Sequence, residues 1–141
     1  GQLRTNSVDD PRVLAAIENV PREEFVPVEK RALAYVDIPL PIGDGRQLNA
    51  PLVTARLITE ADEAPGERVL LVGMATGYAA AIISALGADL TAVEDDLASG
   101  DPDGAPYDVI IVDGAIEHIP DAFRQQLREG GRLLTGLIDN G

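Results

Sequence analysis

The sequence predicts an α/β fold organised around a parallel sheet. Short, continuous apolar runs at 68–73 (RVLLVG) and 107–113 (YDVIIVD) have the character of strands buried on both faces. Helical patterns alternate with these runs, which calls for crossover connections and a parallel arrangement. A glycine-punctuated turn, GMATG at 73–77, leads from the first run into the next helix.

Taken in order, residues 9–19 (DDPRVLAAIEN) read as a helix. Asp9 or Asp10 can cap it, Pro11 suits its first turn, and Val13, Leu14 and Ile17 form an apolar face. Val20-Pro21 ends it, because a residue before proline avoids the helical region. Residues 21–48, rich in proline and glycine, read as short helical and extended pieces. A second helix is expected over 50–60, with Leu52, Ala55 and Leu57 or Ile58 inward. The strand at 68–73 follows, then a helix at 79–86, strands at 89–94 and 107–113, a helix at 120–128 and a last strand at 131–137. The acids Glu60, Asp62 and Glu63 read as a solvated helix end, Asp95-Asp96 as a solvated loop, and His118 as a surface histidine at a helix entry.

One connection does not fit. Between Glu94 and Tyr107 lies DDLASGDPDGAP, with almost no apolar residues. At about 3.3 Å per residue it can span a crossover, but it cannot cover a sheet face as the usual crossover helix does. Either the chain lacks a helix and strand that such a fold usually has, or residues are absent at this point of the sequence; the second is preferred, with the junction near Asp96-Leu97.

Composition narrows the function classes. A 141-residue chain with 45% apolar and 25% charged residues supports one globular domain with a true core. The expected division is a single domain over 1–141, with an N-terminal cap at 1–60 and a core at 61–141. The absence of cysteine excludes disulfides and thiolate chemistry, and a lone histidine excludes a multi-histidine metal site, so no metal is expected. A net charge of −13 shows no basic footprint for nucleic acid. No run approaches the roughly 20 apolar residues of a membrane span, and no leader is recognisable. The expected location is cytoplasmic.

The chemistry concentrates at the turn after the first strand. Glycines there let a ligand approach the backbone, and the helix that follows offers unpaired N–H groups. Glu94, about 20 residues further on at the tip of the next strand, can hold ribose hydroxyls. Nicotinamide and flavin sites share this logic, but their Gly-x-Gly-x-x-Gly spacing is not met, because Ala75 and Tyr78 stand where glycines would.

Six segments resemble the protein-L-isoaspartate O-methyltransferase family. They are VPREEFVP (20–27), LAYVDIPLPIG (33–43), RQLNAP (46–51), VLLVGMATGYAAAI (69–82), APYDVIIVDGA (105–115) and IPDAFRQQLREGGRLL (119–134). The resemblance implies a Rossmann-like class I methyltransferase sheet with an N-terminal helical cap, here without the third strand, its helix and a C-terminal hairpin. It implies S-adenosylmethionine as cofactor and methyl transfer to the carboxylate of an isoaspartyl residue in a protein or peptide, a repair reaction. Such a transfer needs no general base, since a carboxylate is already nucleophilic and the sulfonium already activates the methyl group; alignment and water exclusion suffice.

By the same resemblance, Gly73, Met74, Ala75, Gly77, Glu94, Asp113 and Gly114 are the expected cofactor residues. Asn49 and Asp113 are the expected catalytic residues, and Arg46, Ala50, Pro51 and Ala115 are expected to meet substrate. Tyr35 and Asp37 either line a substrate groove or serve structure. The chain departs from the family at Leu71, usually acidic, and at Ala75, usually glycine. It departs also at Asn49, usually serine, and at Leu52, usually histidine. Two other readings follow from these departures: a family member that binds without catalysis, and a methyltransferase with another acceptor.

Overall fold

The computed structural model describes residues 9–114 and 118–136. Helix α1 (Pro11–Asn19) starts where Asp10 accepts the Arg12 amide at 2.9 Å. Its buried stripe is Val13 and Ala16, with Ile17 partly covered; Leu14, expected inward, is 41% exposed. One residue is 100° of helix, so choosing Val13, Ala16, Ile17 and Val20 as the inward face turns Leu14 out. Two 3-10 turns follow, Arg22–Phe25 and Val28–Leu33. Strands β1 (Leu40–Gly43) and β2 (Arg46–Leu48) then pair as an antiparallel hairpin. Asp44 and Gly45 both take positive φ in its turn, the conformation a tight hairpin requires.

Helix α2 (Pro51–Ala61) has no capping side chain of its own, because Ala50 occupies the cap. Asp37 supplies it from a distance, accepting the Leu52 amide at 3.0 Å. That gives Asp37 a structural role. The helix buries Thr54, Ala55, Leu57, Ile58 and Ala61, while Leu52 is half-buried. Glu63, expected in solvent, is buried at 1% exposure, because the chain turns back under α2 toward the sheet instead of leaving it.

Strands β3 (Arg68–Val72), β4 (Asp89–Val93), β5 (Tyr107–Val112) and β6 (Leu127–Thr135) form a parallel sheet in the order β4-β3-β5-β6. Helix α3 (Gly77–Ala85) connects β3 to β4 and begins two residues before the expected start, because Gly77 itself adopts the helical conformation. Helix α4 (Asp121–Gln126) is shorter than the 120–128 expected, and β6 begins before 131 because Leu127 already pairs with Tyr107. Pairing then breaks and resumes at Val109 opposite Arg132.

Strand periodicity divides the core in two. Val69, Leu71, Val109 and Ile111 face α1, α2, α3 and the N-terminal segments. Leu70, Val72, Ile110 and Val112 face the other way, onto Tyr107, Phe123 and the partly buried Leu97 and Ala105. This second core is the smaller. The connection from β4 to β5 contains only the 3-10 turn Pro102–Gly104 and adds no strand among the described residues. β4 is consequently an edge strand, and no residue of it is fully buried.

Candidate functional site

The strand order reverses at β3: the chain moves outward to β4, then returns to place β5 on the other side. Ligands of open α/β sheets bind outside the carboxyl ends of strands at such a point. The first part of the chain roofs this crevice. A cavity of about 270 Å³ is lined by Gly45, Gln47 and Asn49 from above, and by Gly73, Met74, Asp113 and Gly114 from the strand tips. Leu97, Pro120 and Phe123 form an apolar wall. A second cavity, about 200 Å³, lies across the glycine turn and is lined by Arg46, Leu48, Ala75, Gly77, Tyr78 and Glu94, among others. The alternation of β2 explains this partition: Gln47 and Asn49 point to one side, Arg46 and Leu48 to the other.

Close packing bears on both glycines of the turn, with backbone as the neighbour at Gly73 and a side chain at Gly77. A Cβ at Gly73 would stand 2.7 Å from the Asp113 carbonyl oxygen; one at Gly77 would stand 3.2 Å from the Phe25 ring. The tips of β3 and β5 are thus pressed together at Gly73, and the N-terminal segment is pressed onto α3 at Gly77. Glu94 reaches back into the turn, where its Oε2 accepts both the Thr76 amide and the Thr76 hydroxyl at 2.9 Å each. Its Oε1 accepts none from the described residues, so it remains available to a ligand.

In the lining of the larger cavity Asn49 Nδ2 donates to Asp113 Oδ1 at 2.6 Å. Both side chains are buried. Burial pushes the Asp113 carboxyl above the ordinary aspartate range, against the opposing pull of the Asn49 bond and the Arg22 charge. The upward push favours the neutral carboxyl.

Of the residues expected at the site, Asn49, Gly73, Met74, Asp113 and Gly114 line the larger cavity, and Arg46, Ala75, Gly77 and Glu94 the smaller. Ala50 and Pro51 line neither; they open α2 directly behind Asn49. Ala115 lies outside the described residues. Leu71 is wholly buried in the larger core and faces neither cavity. Tyr35 is exposed, and its hydroxyl accepts the Arg22 amide at 3.0 Å and donates to Glu23. His118 is exposed, as expected. Sequence reasoning missed Arg22, Gln47 and Thr76. A lone arginine inside VPREEFVP offered the only hint of Arg22, since such a residue is usually at the surface. Among the described residues no cluster of three or more acidic or histidine ligands could hold a metal ion. No described helix is long and apolar enough to cross a membrane.

A reversed strand order, a glycine turn with an acid at the neighbouring strand tip, and a cap over both define a Rossmann-like class I methyltransferase fold. The chain belongs to the protein-L-isoaspartate(D-aspartate) O-methyltransferase family, whose model matches residues 1–95 and 85–140. It is 37% identical to protein-L-isoaspartate O-methyltransferase 1 of Rhodopseudomonas palustris, over 94% of this chain and 64% of that protein. It is 38% identical to a protein-L-isoaspartate O-methyltransferase of Methylorubrum populi, over 94% of this chain and 74% of that protein. A solved protein-L-isoaspartate O-methyltransferase superposes with a TM-score of 0.76 at 27% identity, covering 94% of this chain and 52% of its own. A Plasmodium falciparum beta-aspartate methyltransferase, solved with S-adenosyl-L-homocysteine, matches in fold with a TM-score of 0.73 at 17% identity, covering 99% of this chain and 82% of its own.

The chain therefore spans only part of these relatives. The alignment with the Rhodopseudomonas protein extends over 158 residues against the 141 present here, so the relative carries residues with no counterpart. The family model also matches in two stretches that meet at 85–95, beside the junction expected near Asp96-Leu97. The shortened β4-to-β5 connection agrees with both.

Proposed function

We propose that this chain is a methyltransferase domain that transfers a methyl group from S-adenosylmethionine to the carboxylate of L-isoaspartyl residues in damaged proteins. In this reading residues 1–141 form one domain, with 1–60 as the cap over a 61–141 core, and the protein acts in the cytoplasm on protein or peptide substrates. The observation that carries it is the buried Asn49–Asp113 pair, held beside the Gly73 bend at the topological switch point.

The residues present suit the cofactor. The bend brings backbone, not side chains, to the cavity floor at Gly73 and Gly114, and Glu94 keeps one carboxylate oxygen for sugar hydroxyls. Leu97, Pro120 and Phe123 supply an apolar wall for a flat ring. When bound, S-adenosylmethionine supplies a methyl group already activated by its sulfonium. The protein's own part is to bind, orient and exclude water. Asn49 holds Asp113 through one amide hydrogen, which leaves its second hydrogen to donate to an acceptor carboxylate. Burial, which favours the neutral form of Asp113, lessens like-charge repulsion against that acceptor. Arg46, Ala50, Pro51 and Ala115 are assigned to the acceptor side.

Calorimetric titration with S-adenosylmethionine, followed by counting labelled methyl ester on an isoaspartyl peptide, tests this. Binding with methylation is the expected result. Binding with no methylation of that peptide points to another acceptor, and no binding at all overturns the enzymatic reading.

A further inference from the structure

We infer that Arg22 is a positioning residue that couples the N-terminal cap to the Asn49–Asp113 pair. The inference rests on the proposed role of that pair, but its geometry stands separately. Arg22 is fully buried and is among the largest side chains to be so among the described residues. Its guanidinium donates through Nε to the Ala34 carbonyl and through Nη2 to the Asn49 carbonyl at 2.8 Å. It also lies over the Tyr78 ring, 4.8 Å from the centroid. Among the described residues it forms no ion pair, and Nη1 is buried without a partner.

Burying a guanidinium without a counter-ion is costly. An apolar residue of similar volume would fill the space at less cost, so a guanidinium here calls for a role in geometry. That geometry is a continuous path. The 33–43 run is anchored at Ala34, Arg22 joins it to the backbone of Asn49, and the side chain of Asn49 bonds Asp113. Arg22 lines neither cavity, so it acts through Asn49 and not on a ligand. Its charge is also the ionic group acting on Asp113, where it opposes the effect of burial, while Asn49 supplies the other opposing contact.

The test uses the full chain carrying Arg22→Gln or Arg22→Lys, with NMR titration of labelled aspartate carboxyls, cofactor calorimetry and the isoaspartyl-peptide assay. In Arg22→Gln, Asp113 should titrate at higher pH than in the parent. Methyl transfer should fall by about 10²-fold, while cofactor affinity stays within about threefold. Arg22→Lys keeps the charge, so Asp113 should titrate close to its parental position, with transfer only partly recovered because one ammonium cannot bridge both carbonyls as the guanidinium fork does. If Arg22→Gln is too unstable to titrate, a parental Asp113 titration with full activity in Arg22→Lys still overturns the need for the fork. A folded Arg22→Gln protein with unshifted Asp113 overturns the coupling. If the parent methylates no isoaspartyl peptide, the proposed function fails, but the titration still decides the coupling.

Discussion

Replacing Gly73 with alanine tests the link between fold and site at one atom. The added Cβ would stand 2.7 Å from the Asp113 carbonyl oxygen, closer than real side chains approach, and the neighbour is backbone. Asp113 cannot retreat freely, because its amide donates to the Val72 carbonyl at 2.8 Å. Gly73 is tied on its other side, its amide donating to the Val93 carbonyl at 3.1 Å. Relief therefore means spreading the tips of β3 and β5 by roughly 0.5 Å, at an overpacking cost of about 1–3 kcal/mol. A loss of ~2 kcal/mol lowers the melting temperature of a domain this size by roughly 6 °C. The same spreading moves Gly73 and Asp113 in the cavity floor where the cofactor would lie, so cofactor affinity should fall by about tenfold or more. Thermal melting followed by circular dichroism and calorimetric titration measure both effects. Gly77→Ala is the internal control. Its Cβ meets only the Phe25 ring, at 3.2 Å, which can shift, and alanine favours the helix by up to about 1 kcal/mol. It should leave melting nearly unchanged. A Gly73→Ala protein that melts and binds like its parent would refute the argument.

Glu63 is buried with both carboxylate oxygens unpartnered, and burial raises its pKa above the ordinary 4.5 against the opposing charges of Arg12 and Arg132. The folded protein thus holds this proton more tightly than the unfolded chain, so stability is fullest below the ordinary value and declines as pH rises through the raised one. Glu63→Gln should flatten that decline and melt higher at neutral pH by about 3–6 °C; equal melting across the pH range counts against it. Asn49→Ala removes the bond that partly restrains the Asp113 shift. The Asp113 carboxyl should then titrate still higher, and an NMR titration that moves the other way contradicts the pairing. Thr76→Val removes the hydroxyl bond to Glu94 but keeps the amide bond. Cofactor binding should weaken by about three- to tenfold, and unaltered affinity would show that Glu94 needs no such anchor.

The parallel sheet was legible in the sequence because a strand buried on both faces must be apolar at every position, as 69–72 and 109–112 are. The glycine turn and the acid at the next strand tip were legible for a related reason: short-range geometry demands particular residues there, and Thr76 ties Glu94 to the turn. The bare connection after Glu94 was legible too, since a segment with almost no apolar residues cannot cover a sheet face as a crossover helix does. By itself, then, the sequence determined the strand core, the site's floor and the shortened crossover. Only tertiary structure decided the roof. Which face of β2 looks into which cavity depends on how the hairpin lies over the turn, and a three-residue strand has no pattern from which to read that. Leu14 outside and Glu63 inside, like Arg22 beneath Asn49 and Asp37 at the start of α2, arise from contacts between segments distant in the chain. Local preference is silent on such contacts, because burial of a polar side chain is settled by the partners that folding brings to it.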